Sequence, residues 1–317
     1  MINRTLVRTR VVQTLFAYYK DGDKTPLTAK KELLKSFGDT YDLYVLLLDF
    51  VNELTLYAEQ QIQQAEQRAK VTHQSYVANR RFANNRLAQV VFNNHQIRNH
   101  IANQQLSWDA GMSAVSAVYK QLLEAPFYQE YMEAAECDYE ADKRIWRKIF
   151  TELMVDNEAV TSALEEMEVV LDRQNWTVDA DLMMSYVVKT LKRLDEVNGA
   201  DQDILPMFDK EEELGFAKDL LRYALEDKPK YEALIDGHLR GWDAQRVAYM
   251  DRIILQVALA EICHFDEIAL EVSLNEYIEL GKEYSGDKSY MFINGVLTEI
   301  LRDMKREGTL TKALVVK

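Results

Sequence analysis

Four prolines and eleven glycines in 317 residues are too few turn formers for a large sheet protein, which needs a tight turn after most strands. The chain instead shows long stretches of helical period joined by short connections. In residues 4–20, Val7, Val11, Leu15 and Tyr18 recur at helical steps, Val12, Phe16 and Tyr19 widen the stripe, and Asp21-Gly22-Asp23 ends it. The same period predicts a helix over 28–37 and a longer one over 39–69, with Leu43, Leu46, Leu47, Phe50, Leu54 and Tyr57 on its buried side. Further helices are expected over 108–123, from Pro126 onward, and over 140–155, 157–173 and 179–195. Residues 70–108 are rich in Asn and Gln and give the weakest period.

Asn198-Gly199-Ala200-Asp201, followed by Pro206, is the clearest linker signal and sets the main boundary there. Beyond it, Phe216, Leu220, Leu221 and Leu225 mark one helix, and Tyr231, Leu234, Ile235 and Leu239 a second. Met250, Ile253, Ile254, Val257 and Ile262 mark a third, and Phe292, Ile293, Val296, Leu297, Ile300, Leu301 and Met304 a last one. Ser273 and Glu276 have the spacing of a capping box, with Val272 and Tyr277 where a hydrophobic staple would sit. Gly295, inside the last helix, implies a close backbone approach to a neighbour or a ligand.

A formal net charge of −14 argues against a uniform nucleic-acid surface. The distribution is uneven. Residues 1–20 hold Arg4, Arg8, Arg10 and Lys20 and no acid; residues 67–108 hold Arg68, Lys70, Arg80, Arg81, Arg86 and Arg98 and no acid. Such islands either guide a polyanion to one face or are ordinary solvated helix faces. Cys137 and Cys263 form no CxxC pair, which fits a reducing cytoplasm. The start, MINRTLVRTR, has no apolar leader, and the run from Tyr44 to Leu48 stops at Asp49, so no membrane partner is expected.

Chemistry is sparse. The stretch from Gly281 to Ser289 approaches a phosphate-binding loop, but Asp287 separates Gly286 from Lys288, and an acid inside a phosphate cradle is electrostatically wrong. Glu261 and His264 have the Glu-x-x-His spacing of helical di-iron sites, which need two copies. His264 is better read as a helix C-terminal residue that suits the dipole. No metal, no cofactor and no enzymatic activity is expected.

The C-terminal third resembles a known family. Trp242-Asp243-Ala244-Gln245-Arg246, Met250-Asp251-Arg252-Ile253-Ile254-Leu255, Val272-Ser273-Leu274-Asn275-Glu276-Tyr277-Ile278-Glu279-Leu280-Gly281-Lys282 and Phe292-Ile293-Asn294-Gly295-Val296-Leu297 are similar, in order and spacing, to the second half of NusB proteins. Arg4 and Arg8, followed by Val12-Gln13-Thr14-Leu15-Phe16, resemble that family's arginine-rich start. The resemblance covers about 1–20 and 208–304. It implies an all-α fold: a NusB-like helical bundle with two packed helical subdomains, enlarged by central helices. The expected organisation is a helical region 1–205, of which 66–205 is an extension, a NusB-like domain 206–307 and a tail 308–317.

The resemblance implies a cytoplasmic transcription antitermination factor. It would bind single-stranded, boxA-like RNA together with the ribosomal protein NusE, engaging the RNA polymerase complex indirectly on ribosomal RNA operons. It assigns RNA contacts to Arg4, Arg8, Arg10, Phe16, Tyr290, Phe292 and Asn294, and partner contacts to Asp251, Arg252, Lys288 and Ser289. The helical spacing of Phe16 and Phe292 also fits plain core packing. The chain departs from the pattern at Lys288, where an acid is usual, at Met291, where a lysine is usual, and at Gln256, where an arginine is usual; Ile268-Ala269-Leu270 also lacks the usual proline. A helical protein–protein adaptor that has lost RNA binding is the alternative. An RNA methyltransferase would need a strand-rich cofactor domain with a Gly-rich loop, and the sequence has neither.

Overall fold

In the first half of the chain, asparagines do much of the local work. Asn3 caps α1 (Arg4–Lys20), its side chain accepting from the Leu6 amide at 3.0 Å. Asn85 and Asn94 likewise cap α3 (Arg86–Asn93) and α4 (His95–Gln104), accepting from the Ala88 and Ile97 amides at 3.0 and 3.1 Å. The Asn-rich stretch that hides its helical period is thus a run of short helices with side-chain caps. The computed structural model describes residues 1–239, 247–286, 289–310 and 312. The expected motif from Trp242 to Arg246, Asp287 and Lys288, and most of the tail 308–317 lie outside the described residues.

Fourteen α-helices make an all-α protein among the described residues. The chain divides into two units: Met1 with Ser36–Met207, and Ile2–Lys35 with Phe208–Lys317. The division falls inside α2 (Pro26–Val71), which is continuous where the sequence suggests two helices. Gly38 passes through without a break, since it needs no special backbone angle there.

The first unit is built on α2, whose residues from Leu43 to Leu48 are all fully buried. A helix apolar on every side must be surrounded. The unit's other helices are α3, α4, α5 (Met112–Glu124), α6 (Pro126–Glu133), α7 (Tyr139–Lys148), α8 (Glu158–Val170) and α9 (Trp176–Arg193), and α2 bonds α4, α5 and α9 directly through Asp42–His100, Tyr57–Ser116 and Tyr44–Thr190. Pro126 occupies the first turn of α6, where its missing N–H is harmless. Three tryptophans anchor the core, each with its indole N–H satisfied: Trp108 on Leu46 O at 2.9 Å, Trp146 on Asn85 Oδ1 at 3.0 Å and Trp176 on Asp39 O at 2.7 Å.

Four arginines of the second basic island, though partly exposed, are bonded within this unit. Arg86 Nε pairs with buried Asp142 at 2.8 Å, and Arg98 Nη1 with buried Asp49 at 2.8 Å. Arg80 bonds Glu59 and Glu66, and Arg81 donates to Tyr131 O at 2.6 Å. These four arginines tie elements together, and their charge is offset by the acids and carbonyls they bond. The segment Asn198-Gly199-Ala200-Asp201 is also tied in: Asn94 Nδ2 donates to Gly199 O at 2.7 Å and to Gln202 O at 2.9 Å. A Cβ on Gly199 would fall 2.2 Å from Val90 Cγ1, so glycine is required for packing there.

The second unit joins α1 and residues 26–35 to α10 (Glu211–Glu226), α11 (Lys228–Gly237), α12 (Tyr249–His264), α13 (Leu270–Tyr284) and α14 (Ser289–Arg306). Two local expectations change. Ser273 does not cap α13, which begins three residues earlier after Ala269. Its hydroxyl is wholly buried and bonds α12 instead, and Val272 is exposed rather than stapled to Tyr277. Gly295 makes no close approach, for a Cβ there would meet nothing within 4 Å. The tight spot is Gly281, whose added Cβ would lie 2.5 Å from buried Ile293 Cδ1 of α14. Gly295→Ala is therefore expected to stabilise the protein by up to about 1 kcal/mol, whereas Gly281→Ala loses that gain to overpacking of about 1–3 kcal/mol. Hydrogen exchange of the α13 and α14 amides in both variants checks this, and a destabilising Gly295→Ala contradicts it.

His264 closes α12, as its position in the sequence suggests. Its ring stacks on Tyr223 at 3.8 Å and 6°, and Nε2 donates to Asp227 Oδ2 at 2.8 Å. That hydrogen bond holds the Asp227 carboxyl below the usual carboxylate range. A depressed folded-state value gives stability that is present above the unfolded value of about 3.9 and lost as pH falls through the folded one. His264→Ala should move the Asp227 midpoint upward in a carboxyl NMR titration; an unmoved midpoint refutes the assignment.

Candidate nucleic-acid interface

The residues singled out by sequence separate into an interior set and a surface set in the second unit. Arg8 is only 2 % exposed. Its Nε and Nη2 donate to Glu261 Oε2 and Oε1 of α12 at 2.7 and 2.9 Å. Glu261, 0 % exposed, also accepts from Ser273 Oγ at 2.7 Å and Tyr277 OH at 2.9 Å. Glu276 Oε2 lies 3.4 Å from Arg8 Nη1. Burial pulls the Arg8 guanidinium down, but the hydrogen bond and charge of Glu261 reverse this and leave it above its ordinary value. The Tyr277 hydroxyl is pushed well above its ordinary value by burial, and further by Glu261.

Arg10 is also enclosed, with Nη1 donating to Gln13 Oε1 at 2.7 Å, and Phe292 is buried in α14. The phosphate contacts expected of Arg8 and Arg10, and the base stacking expected of Phe292, are therefore not available in this conformation. The reason is periodic: Arg8 aligns with Val12 and Leu15, and Phe292 with Val296, on the core side of their helices.

The set expected to face a partner is mixed. Asp251 is buried in the first turn of α12 and accepts from buried Ser289 Oγ at 3.1 Å. Desolvation raises its carboxyl, with Ser285 and Ser289 hydrogen bonds opposing. Arg252 is partly exposed and bonds Asp236 at 2.9 Å.

The surface set lies along one side of α1. Gln13, Phe16 and Lys20 follow at helical spacing. Phe16 is half-buried and its ring meets Tyr249 of α12 with centroids 5.9 Å apart. Tyr249 is 47 % exposed. Lys20 Nζ sits 5.1 Å from the Phe16 centroid, and Gln13 Nε2 donates to Tyr284 OH at 3.4 Å. An aromatic pair with a cation over it and an amide beside it can stack an unpaired base and hold its phosphate. Tyr249 and Tyr284 carry no motif; only their places at the start of α12 and the end of α13 mark them. Arg4, partly exposed, flanks the N-terminal end of α1, bonded to Glu213 at 3.3 Å and lying 5.0 Å over the Phe216 ring. Tyr290 lies half-buried beneath Lys282 Nζ at 5.6 Å, and Asn294 is exposed.

The charge is divided between the units. Residues 36–207 contain 15 Lys and Arg against 27 Asp and Glu; the rest of the chain contains 23 against 25. The acidity that disfavours a polyanion thus belongs almost wholly to the first unit.

The family model described as NusB family matches residues 183–302. The chain is 33% identical over 132 residues to the transcription antitermination protein NusB of Salinibacter ruber, covering 40% of this chain and 82% of that protein. It is 36% identical over 121 residues to its namesake from Bacillus pumilus, covering 38% and 92%, and 40% identical over 110 residues to that of Bacillus licheniformis, covering 35% and 83%. No solved structure matches the chain. The fold is that of an all-helical, two-unit protein with an aromatic, cation-flanked helix face. The chain belongs to the NusB family.

No helix among the described residues is long and apolar enough to cross a membrane. No group of three or more His, Cys, Asp or Glu among them is placed to hold a metal ion.

Proposed function

We propose that this protein is a cytoplasmic transcription antitermination factor that binds single-stranded, boxA-type RNA together with NusE on ribosomal RNA operons, by binding rather than catalysis. The observation that carries the reading is the α1 face: Phe16 against exposed Tyr249, with Lys20 above and Gln13 beside it. It lies in the unit with little net charge. Phe16 and Tyr249 stack bases, Lys20 and Arg4 meet phosphates, and Tyr290 with Asn294 extends the surface. Arg8, Arg10 and Phe292 hold α1 and α14 in place behind it. Arg252 is the accessible member of the partner-facing set, with Asp251 and Ser289 fixing the helix ends beside it.

The test is a fluorescence-anisotropy titration of the full chain with a boxA-like RNA, with and without NusE, at two salt concentrations. Binding should weaken with salt, and Arg4→Ala should flatten the salt slope by about 0.7, the value for one single-strand phosphate contact. Absence of binding in both arms, with folded protein, rejects the proposal. The adaptor reading draws on Met291, 46 % exposed where the family usually has lysine. It predicts a protein partner retained after nuclease treatment and no RNA affinity.

A further inference from the structure

The second unit has a groove that the RNA face does not use. It lies between the first turns of α2 and the outer side of α10, with a volume of about 510 Å³. Its floor is aliphatic: Leu27, 61 % exposed, with Leu221 and Leu225 one turn apart on α10. Lys30, Lys218 and Arg222 stand on the rim. The two rim carboxylates, Asp219 and Glu226, are both bonded by Arg222 at 3.1 Å, so the rim's net charge is positive. A positive rim on a chain of net charge −14 is a local departure from the whole.

We infer that this groove docks an acidic amphipathic helix of a partner protein. Two or three apolar side chains at i, i+3/i+4 spacing fill the leucine floor, and flanking carboxylates meet Lys30 and Lys218. Among the described residues the lining contains no aromatic ring on which a base could stack, and its aliphatic floor offers a nucleic acid nothing. The acidic first unit repels an acidic helix, so the positive rim supplies placement as well as attraction. The inference is independent of RNA binding.

The probe is a fluorescein-labelled model helix of Leu and Glu in helical period, titrated into the full chain, with a Leu/Lys helix of the same length as control. The Leu/Glu helix should bind and the Leu/Lys helix should bind more weakly. Leu27→Asp should weaken Leu/Glu binding by about tenfold or more, the loss expected for one apolar anchor. Lys30→Glu with Lys218→Glu should weaken it and reduce its salt dependence. Both sites are on the surface, so circular dichroism should show intact folding. The proposal is overturned if the Leu/Glu helix does not bind, if Leu27→Asp leaves its affinity unchanged, or if boxA-like RNA displaces it. Concentration-dependent self-association that Leu27→Asp abolishes would make a second copy the occupant, which also overturns it.

Discussion

Replacing Glu261 by alanine is expected to destabilise the second unit by about 3–5 kcal/mol, the range for removing one partner of a buried ion pair. The loss has three parts. The Arg8 guanidinium, 2 % exposed, is left without its bidentate acceptor. The buried Ser273 and Tyr277 hydroxyls lose theirs. A void also opens where the carboxylate stood. Glu276, 3.4 Å from Arg8, offers partial compensation and places the effect toward the lower end of that range. Glu261→Gln keeps an acceptor and should cost less. Arg8→Met combined with Glu261→Met should recover much of the loss, since apolar replacement of both partners is often tolerated. Hydrogen exchange is the suitable readout, because a two-unit chain has no single unfolding free energy. Amides of α1 and α12 should lose protection while those of α5 and α8 serve as reference. A Glu261→Ala protein with α12 protection within about 1 kcal/mol of the parent would show that the pair is not what fixes α1.

The second large effect concerns RNA. Tyr249→Ala and Phe16→Ala should each weaken boxA-like RNA binding by about 1–3 kcal/mol, or roughly 5- to 150-fold. Their rings are 5.9 Å apart, so the double variant should lose less than the sum of the two. Tyr249 is 47 % exposed, so its removal leaves the fold intact and isolates the binding term. Phe292→Leu, a core change, should alter stability without a comparable loss of affinity. Unchanged affinity in Tyr249→Ala would move the RNA site away from this face.

The sequence was most legible where local rules suffice. The stripe of Val7, Val11 and Leu15 gives α1 its limits and its core side, and Pro126 marks the start of α6. It was least legible where a partner is distant in the chain. Arginine is usually a surface residue, so Arg8 reads as a phosphate ligand until Glu261, 253 residues on, is seen beside it. Its alignment with Val12 and Leu15 is the signal that points inward. Ser273 and Glu276 satisfy a capping pattern by spacing alone, but with Leu270 helical and the Ser273 hydroxyl bonded to Glu261, α13 starts early. The Asn-rich stretch reads as irregular because its asparagines serve as caps and cross-links, roles that helical periodicity does not register.

The distance from Arg8 to Glu261 also sets a clock. Helix α1 leaves the ribosome well before its ion-pair partner, which is made 253 residues later. At roughly 5–20 residues per second, that is a wait on the order of 10–50 s. For most of it, α1 has Val7, Val11 and Leu15 without α10 or α12 to cover them. Residues 36–207, whose core closes on itself, are complete well before α12 emerges. A nascent α1 therefore depends on whatever shields an apolar helix during synthesis. A chain arrested between the two units should be more prone to aggregate than one released whole.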